Sequence, residues 1–432
     1  MRIIGAILVV FLGVSVSCSP VSKSRLTKTF RATDSEFQDH TGFMLFDLKG
    51  NKEMFSYHAD RYFTPASNTK IFALYSGLKI LGDSVPALKY AVAGDSLIIW
   101  GTGDPSLLYD KVGTNQHVID FLRNTSKQIY FSADNFFTSH FGPGWAWDDY
   151  PYAYSSERSP LPIYGNRIKI AQTDGGYVKL TPGIFRKNIW LADSVKQLSL
   201  FIRETGGNRI EFFPGSLAVS EEKAIPFRCD PLLISEMLAD TIGLPVRLIH
   251  APMRKDARIL HSLPSDSLYG VMMQESDNFI AEQILLMCSD VLSDSLNPDI
   301  TIREMKRRHL YDMPDKLVWV DGSGLSRYNL FTPRSIVQLW KKIHEMIPQD
   351  RLFSLVAIGG RKGTIKNYFR SEKPYIFGKT GTLSNNHSLS GFMVAKSGRV
   401  LIFSFMNSNY TIPASRVRSR MEEILNTIYE NY

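Results

Sequence analysis

Pro65-Ala66-Ser67-Asn68-Thr69-Lys70 runs directly into an apolar segment, Ile71 to Leu81. This predicts a helix that opens near Ser67, ends near Gly82 and is too apolar for a surface, so the other layers must pack around it. Residues three apart share a helix face, so the Ser67 hydroxyl and the Lys70 amine can meet. Burial disfavours a charged amine, which makes a lysine held there a base for a serine nucleophile. The first turn also favours developing negative charge through the helix dipole. By itself the stretch describes equally well a capped core helix with a solvated lysine.

The flanking chain places this helix in a mixed fold. Before it, Gly42–Leu48 and Glu53–His58 read as two strands around the turn Lys49-Gly50-Asn51. From about Pro86 to Ala251 short β-like runs dominate: Leu97–Trp100, Gln128–Phe131, Val178–Leu180, Ile210–Phe213 and Ala218–Val219. The better helical patterns there are Gln116–Lys127 and Pro231–Ile242. Helical periodicity returns at Ser265–Met273, Phe279–Cys288, Thr301–Leu310 and Pro333–Met346. A meander follows, Tyr375–Thr382, Ser388–Ala395 and Val400–Asn407, then an amphipathic helix with the stripe Val417, Met421, Ile424, Leu425 and Ile428. The chain thus begins and ends with strands and a helix, around a long β-rich insert.

At 432 residues, two or three domains are expected. Fifty Lys and Arg against 42 Asp and Glu give a net charge of +8, spread along the chain with no nucleic-acid recognition motif. Arg2, the apolar run Ile3 to Val16 and then Ser17-Cys18 have the order of a signal peptide and are too short for a stable bilayer span. Cys18 stands where a bacterial lipoprotein signal has its lipidated cysteine, although Ser15 occupies a site that is usually apolar. Ordinary secretion with cleavage near Ser17 is the alternative. Either way the mature chain is expected in the periplasm or cell envelope, touching a membrane only through a lipid on Cys18. Cys229 and Cys288 lack metal-ligand spacing and make no disulfide framework, and Cys288 reads as a small core residue. Neither a metal nor a cofactor is expected.

Three short motifs occur in order: Ser67-Asn68-Thr69-Lys70, Ser276-Asp277-Asn278 and Lys379-Thr380-Gly381. The first opens a buried helix, the second lies between helices, the third lies on a strand. S-x-x-K, S-D-N and K-T-G together are the signature of penicillin-binding proteins and class A β-lactamases. Further pieces narrow this: Gly101-Thr102-Gly103-Asp104-Pro105, Gly144-Trp145 with Asp148-Asp149, Ala281-Glu282, Asp321–Arg327, Gly363-Thr364 and Gly378–Thr382. With these the chain resembles the D-alanyl-D-alanine carboxypeptidase/endopeptidase family of low-molecular-mass penicillin-binding proteins, in the branch with a long insert after the serine motif. Ser276 follows Ser67 by 209 residues, far more than in class A β-lactamases.

The resemblance implies an α+β fold: a serine β-lactamase/DD-peptidase-like catalytic domain, an antiparallel sheet flanked by helices, interrupted by a β-rich insert. The division is a signal peptide over 1–18, catalytic parts over 23–85 and 255–432, and an insert of one or two small modules over 86–254. It implies acyl transfer on peptidoglycan stem peptides, with β-lactams as inhibitors. Ser67 is the nucleophile and Lys70 its base, helped toward neutrality by Lys379. Ser276 relays a proton to the leaving amine, and Asn278 holds the substrate amide. Lys379, Thr380 and Thr382 bind the terminal carboxylate, and Gly381 lets the substrate backbone lie along the strand. The Ser67 and Thr382 backbone N–H groups form the oxyanion hole.

Plainer readings stand beside these. Ser276-Asp277-Asn278 also suits a helix N-cap, His387 reads as a loop histidine, and Gly144–Asn166 either lines a peptide groove or fills the insert's own core. Gly359–Thr364 does not match a phosphate-binding loop, because its lysine precedes the second glycine. The rival functions are a β-lactamase or esterase on the same fold, which would turn over a penicillin adduct rapidly, and a non-catalytic peptidoglycan-binding protein.

Overall fold

The computed structural model describes residues 22–113, 115–172, 178–191, 201–213 and 221–432. The expected strand at Ala218–Val219 and the leader with Cys18 lie outside them.

The helix predicted after Ser67 is the centre of the larger core. A one-turn 3-10 helix, Ala66–Thr69, leads into the α-helix Lys70–Ile80, which is buried continuously from Lys70 through Gly77. Asn278–Ser293 packs along it, and Ser265–Gln274 and Pro333–His344 complete a helical layer. That layer covers one face of a six-stranded antiparallel sheet. The sheet order is Ala357–Ile358, Ile376–Leu383, Asn386–Val394, Val400–Ser408, His40–Asp47 and Lys52–Tyr57. Strand alternation divides the two faces: Ile402 and Met406 point into the helical layer, whereas Leu401, Phe403 and Phe405 join the opposite cluster. On that opposite face lie the helices Lys23–Phe37 and Ala414–Asn431. The stripe Val417, Met421, Ile424, Leu425 and Ile428 is buried as expected.

Between the two parts of this unit the chain builds three further sheets around one core. A five-stranded sheet is ordered Val246–Leu248, Gln128–Ser132, Ser96–Gly101, Ser84–Ala93 and Arg258–Pro264. Its apolar surface is covered by Gln116–Arg123 and Pro231–Ile242. Two three-stranded sheets complete the segment. The outgoing strand Ser84–Ala93 and the returning strand Arg258–Pro264 pair antiparallel, with Ser84 opposite Pro264. Residue 86 therefore falls inside the outgoing strand, and residue 254 lies short of the returning one.

The helix expected over Gln116–Lys127 stops at Arg123, where Asn124 ends it before Thr125 and Ser126. Cys229 and Cys288 are both free and buried.

Candidate active site

Four segments meet at one cleft. The Ser67 turn is pinned against the strand Ile376–Leu383 by Asn68, whose amide donates to the Lys379 carbonyl (3.1 Å) and to Ser388 Oγ (2.8 Å). Gly381 is where strand and turn touch: a Cβ there would lie 2.4 Å from the Pro65 carbonyl oxygen and 2.8 Å from the Ser67 nitrogen. Only glycine permits that approach. Opposite, Gly324 lies against the Ala66 carbonyl so closely that a Cβ would overlap it. Ala66 and Ser276 both hold positive φ, +48° and +62°. For non-glycine residues each costs on the order of 1–3 kcal/mol, strain of the kind that gathers at reacting centres.

Lys70 is wholly buried and points its amine at three acceptors: Ser67 Oγ (2.9 Å), Asn278 Oδ1 (2.6 Å) and the Ser323 carbonyl (2.6 Å). Burial brings its pKa down to about 8, against the pull of Asp321, Asp277 and Glu282, which favour the charged form. Lys379, equally buried, donates to Ser276 Oγ (2.8 Å) and the Thr380 carbonyl (2.7 Å). Burial and then the Lys70 charge hold it well below the ordinary lysine range. The Lys70 charge thus acts against that of Lys379, and burial disfavours the charged form of both amines.

Ser276-Asp277-Asn278 serves both as helix cap and as site. Asp277 accepts the Ile280 N–H at 3.0 Å as N-cap of Asn278–Ser293. It also accepts from Tyr109 Oη (2.6 Å) and Lys111 Nζ (3.0 Å), both from the insert segment. Burial alone would raise its pKa, but Arg167 and Lys111 hold it below the usual carboxylate range. The Asn278 amide is occupied at both ends, accepting from Lys70 and donating to the Tyr154 carbonyl at 2.9 Å. In this state it positions the lysine.

Behind Lys70 stands a buried pair of Glu282, quoted above only as part of the resemblance, and Arg158, which the sequence reading did not single out. Glu282 accepts from Arg158 Nε (3.0 Å) and Nη2 (2.5 Å), and its other oxygen takes the N–H groups of Gly322 (3.0 Å) and Ser323 (2.7 Å). The Ser323 carbonyl is in turn the one that holds Lys70. Asp321 shapes the same loop by accepting from the Gly324 and Ser326 N–H groups and from Trp145 Nε1 (3.0 Å).

The cleft has a volume of about 920 Å³. Ser67, Ser276, Asn278 and Thr382 line it together with Gly144, Asp148, Asp149 and Tyr154, so part of the aromatic and acidic segment faces the nucleophile. Thr380 and Thr382 turn to the opposite sheet face from Lys379 and Gly381. There Thr380 Oγ1 bonds Thr364 Oγ1 (2.7 Å) and Thr382 Oγ1 meets His387 Nδ1 (2.8 Å). His387 is not a loop residue. It is buried in the strand Asn386–Val394 opposite Thr382, with burial bringing its pKa to about 3, so it is neutral.

A serine on a one-turn helix, a desolvated lysine against its hydroxyl, and a second serine–lysine pair beside a glycine-bearing strand thus share one cleft of an α+β fold. Residues 29–428 match the model of the D-Ala-D-Ala carboxypeptidase 3 (S13) family, and the chain belongs to that family. It is 24% identical to the D-alanyl-D-alanine carboxypeptidase of Actinomadura sp. (strain R39) over 93% of this chain and 85% of that protein. Among solved structures it resembles penicillin binding protein 4 (dacB) from Haemophilus influenzae, with a TM-score of 0.72 and 19% identity over 95% of this chain and 99% of that one. The same Haemophilus protein complexed with a β-lactam gives a TM-score of 0.65 and 18% identity over 94% and 99%. The fold is the expected α+β architecture, and the protein is a serine D-Ala-D-Ala carboxypeptidase of this family.

Proposed function

We propose that Ser67 carries the acyl-enzyme of a DD-peptidase acting on peptidoglycan stem peptides. The observation that carries this is the 2.9 Å approach of Lys70 Nζ to Ser67 Oγ, made by an amine whose pKa is near 8. Neutral Lys70 takes the hydroxyl proton as Oγ attacks the carbonyl between the two D-alanines. When the tetrahedral intermediate collapses, the C–N bond breaks and the leaving amine receives a proton through Ser276, which the Lys379 amine holds at 2.8 Å. Thr382 follows Gly381, which lies against the Ser67 turn, and this supports an oxyanion hole of the Ser67 and Thr382 N–H groups. Water then releases the shortened stem.

A β-lactam would be held as a longer-lived ester on Ser67, a reading supported by the β-lactam complex of the Haemophilus relative. Residues 1–18 are read as an export leader with Cys18 as the site of a lipid anchor, placing the enzyme in the periplasm or cell envelope. Among the described residues no helix is long and apolar enough to cross a membrane. The catalytic unit is read as residues 23–85 with 255–432, and the insert as 86–254.

Labelled penicillin tests this directly. The purified protein takes up one label per chain and Ser67→Ala takes up none; equal labelling of both would overturn the assignment. Incubation with monomeric and cross-linked muropeptides, with products identified by mass, separates stem trimming from cross-link cutting.

A further inference from the structure

On the far side of the Lys379–Thr382 strand lies a second cavity, of about 220 Å³, walled by the helix Ala414–Asn431. Thr382 lines both this cavity and the nucleophile's cleft, so the two spaces adjoin at the expected carboxylate-binding threonine. Its polar wall is Thr364, Tyr368, Thr380, Thr382, His387 and Arg418. Among the described residues Arg418 makes no ion pair or hydrogen bond, whereas its helix neighbours Arg416 and Arg420 both bond Glu36. No carboxylate lines the cavity. A guanidinium that shares a cavity with three threonine hydroxyls, and has no counter-ion among the described residues, is suited to an anion.

We propose that Arg418 is a specificity-determining residue that reads the free carboxylate of the leaving amino acid, with Thr380 and Thr382 as its hydrogen-bonding partners. This rests on the DD-peptidase reading of the cleft. Lys379 is poorly placed to serve as that counter-charge alone. It is wholly buried, its amine is committed to Ser276 and the Thr380 carbonyl, and its charged form is disfavoured. Arg418 is half-buried, and a guanidinium presents a planar fork of N–H donors that matches a carboxylate. The neutral His387 holds Thr382 without competing for the anion.

The test compares two substrates that differ only at the terminus, a pentapeptide ending in D-Ala-D-Ala and its C-terminal amide. In the wild type kcat/KM favours the free acid. Arg418→Ala lowers the acid-to-amide ratio on the order of 10²-fold, the usual worth of a charge-assisted pair, and Arg418→Lys retains part of it. Both variants should unfold at the wild-type temperature. An unchanged ratio in Arg418→Ala, or equal loss on both substrates, overturns the proposal. If the wild type cleaves neither substrate and takes no penicillin, the DD-peptidase reading falls. If it cleaves the acid and the amide equally well, only the Arg418 assignment falls.

Discussion

Acylation of Ser67 should depend on pH chiefly through Lys70. Burial lowers that amine from 10.5 to about 8. The neutral fraction at pH 7 therefore rises from about 0.03% to about 10%, roughly 300-fold, part of which is offset by weaker basicity. Because the neutral form is the base, the rate climbs close to tenfold per pH unit below 8 and levels above it. His387, with a pKa of about 3, stays neutral throughout and adds no inflection. The carboxylates around Lys70 set a second, directional check. Asp321 is the strongest of them in favouring the charged amine, and its own pKa is raised by burial and then by Glu282 to about 6. Asp321→Asn should therefore move the Lys70 inflection to lower pH, with its largest effect above pH 6, where the wild-type carboxylate is ionised. The assay is the rate of acylation by a chromogenic penicillin from pH 5.5 to 9.5, in wild type and variant. A flat profile between 6 and 9, or an inflection that moves upward in Asp321→Asn, would refute the base assignment.

Two further outcomes follow from close packing. Gly381→Ala forces a methyl to within 2.4 Å of the Pro65 carbonyl, so the Ser67 turn must shift; acylation should fall on the order of 10²-fold with a stability loss of only about 1–3 kcal/mol, read by penicillin labelling and thermal unfolding. Arg158→Ala strands the Glu282 charge in a site where both side chains are at most 3% exposed; it should cost about 3–5 kcal/mol in chemical denaturation and slow acylation, and Arg158→Lys should not restore the paired N–H bonds to one carboxylate oxygen.

The residues that meet in the cleft are legible because each lies in a short motif of particular residue types at short spacing. Ser67 with Lys70, Ser276 with Asn278, and Lys379 with Gly381 are each local. What holds them is not local. Arg158 and Glu282 lie 124 residues apart, and nothing in either neighbourhood announces the other. Arg418 sits on a helix whose visible signal was its apolar stripe. His387 follows two asparagines after Ser384, a polar run that reads as a loop. It is buried because the sheet continues through it, opposite Thr382. The helix Lys23–Phe37 carried a usable pattern in Leu26, Phe30, Thr33 and Phe37, masked by its polar remainder. Ser84–Ala93 was missed because Pro86 reads as a break, and its partner Arg258–Pro264 is remote in sequence.

That pairing of Ser84 with Pro264 bears on the order in which the enzyme assembles. Lys70 and Ser276 are separated by 206 residues of chain, but once the outgoing and returning strands pair, the path is 14 residues out and 12 back. Closing the shorter loop saves roughly 2 kcal/mol of chain entropy. The excursion that splits the active site in sequence therefore acts as its splice. With those two strands paired, the returning half that carries Asn278 and Ser323, the acceptors of the Lys70 amine, lies within reach of the half that carries Ser67 and Lys70.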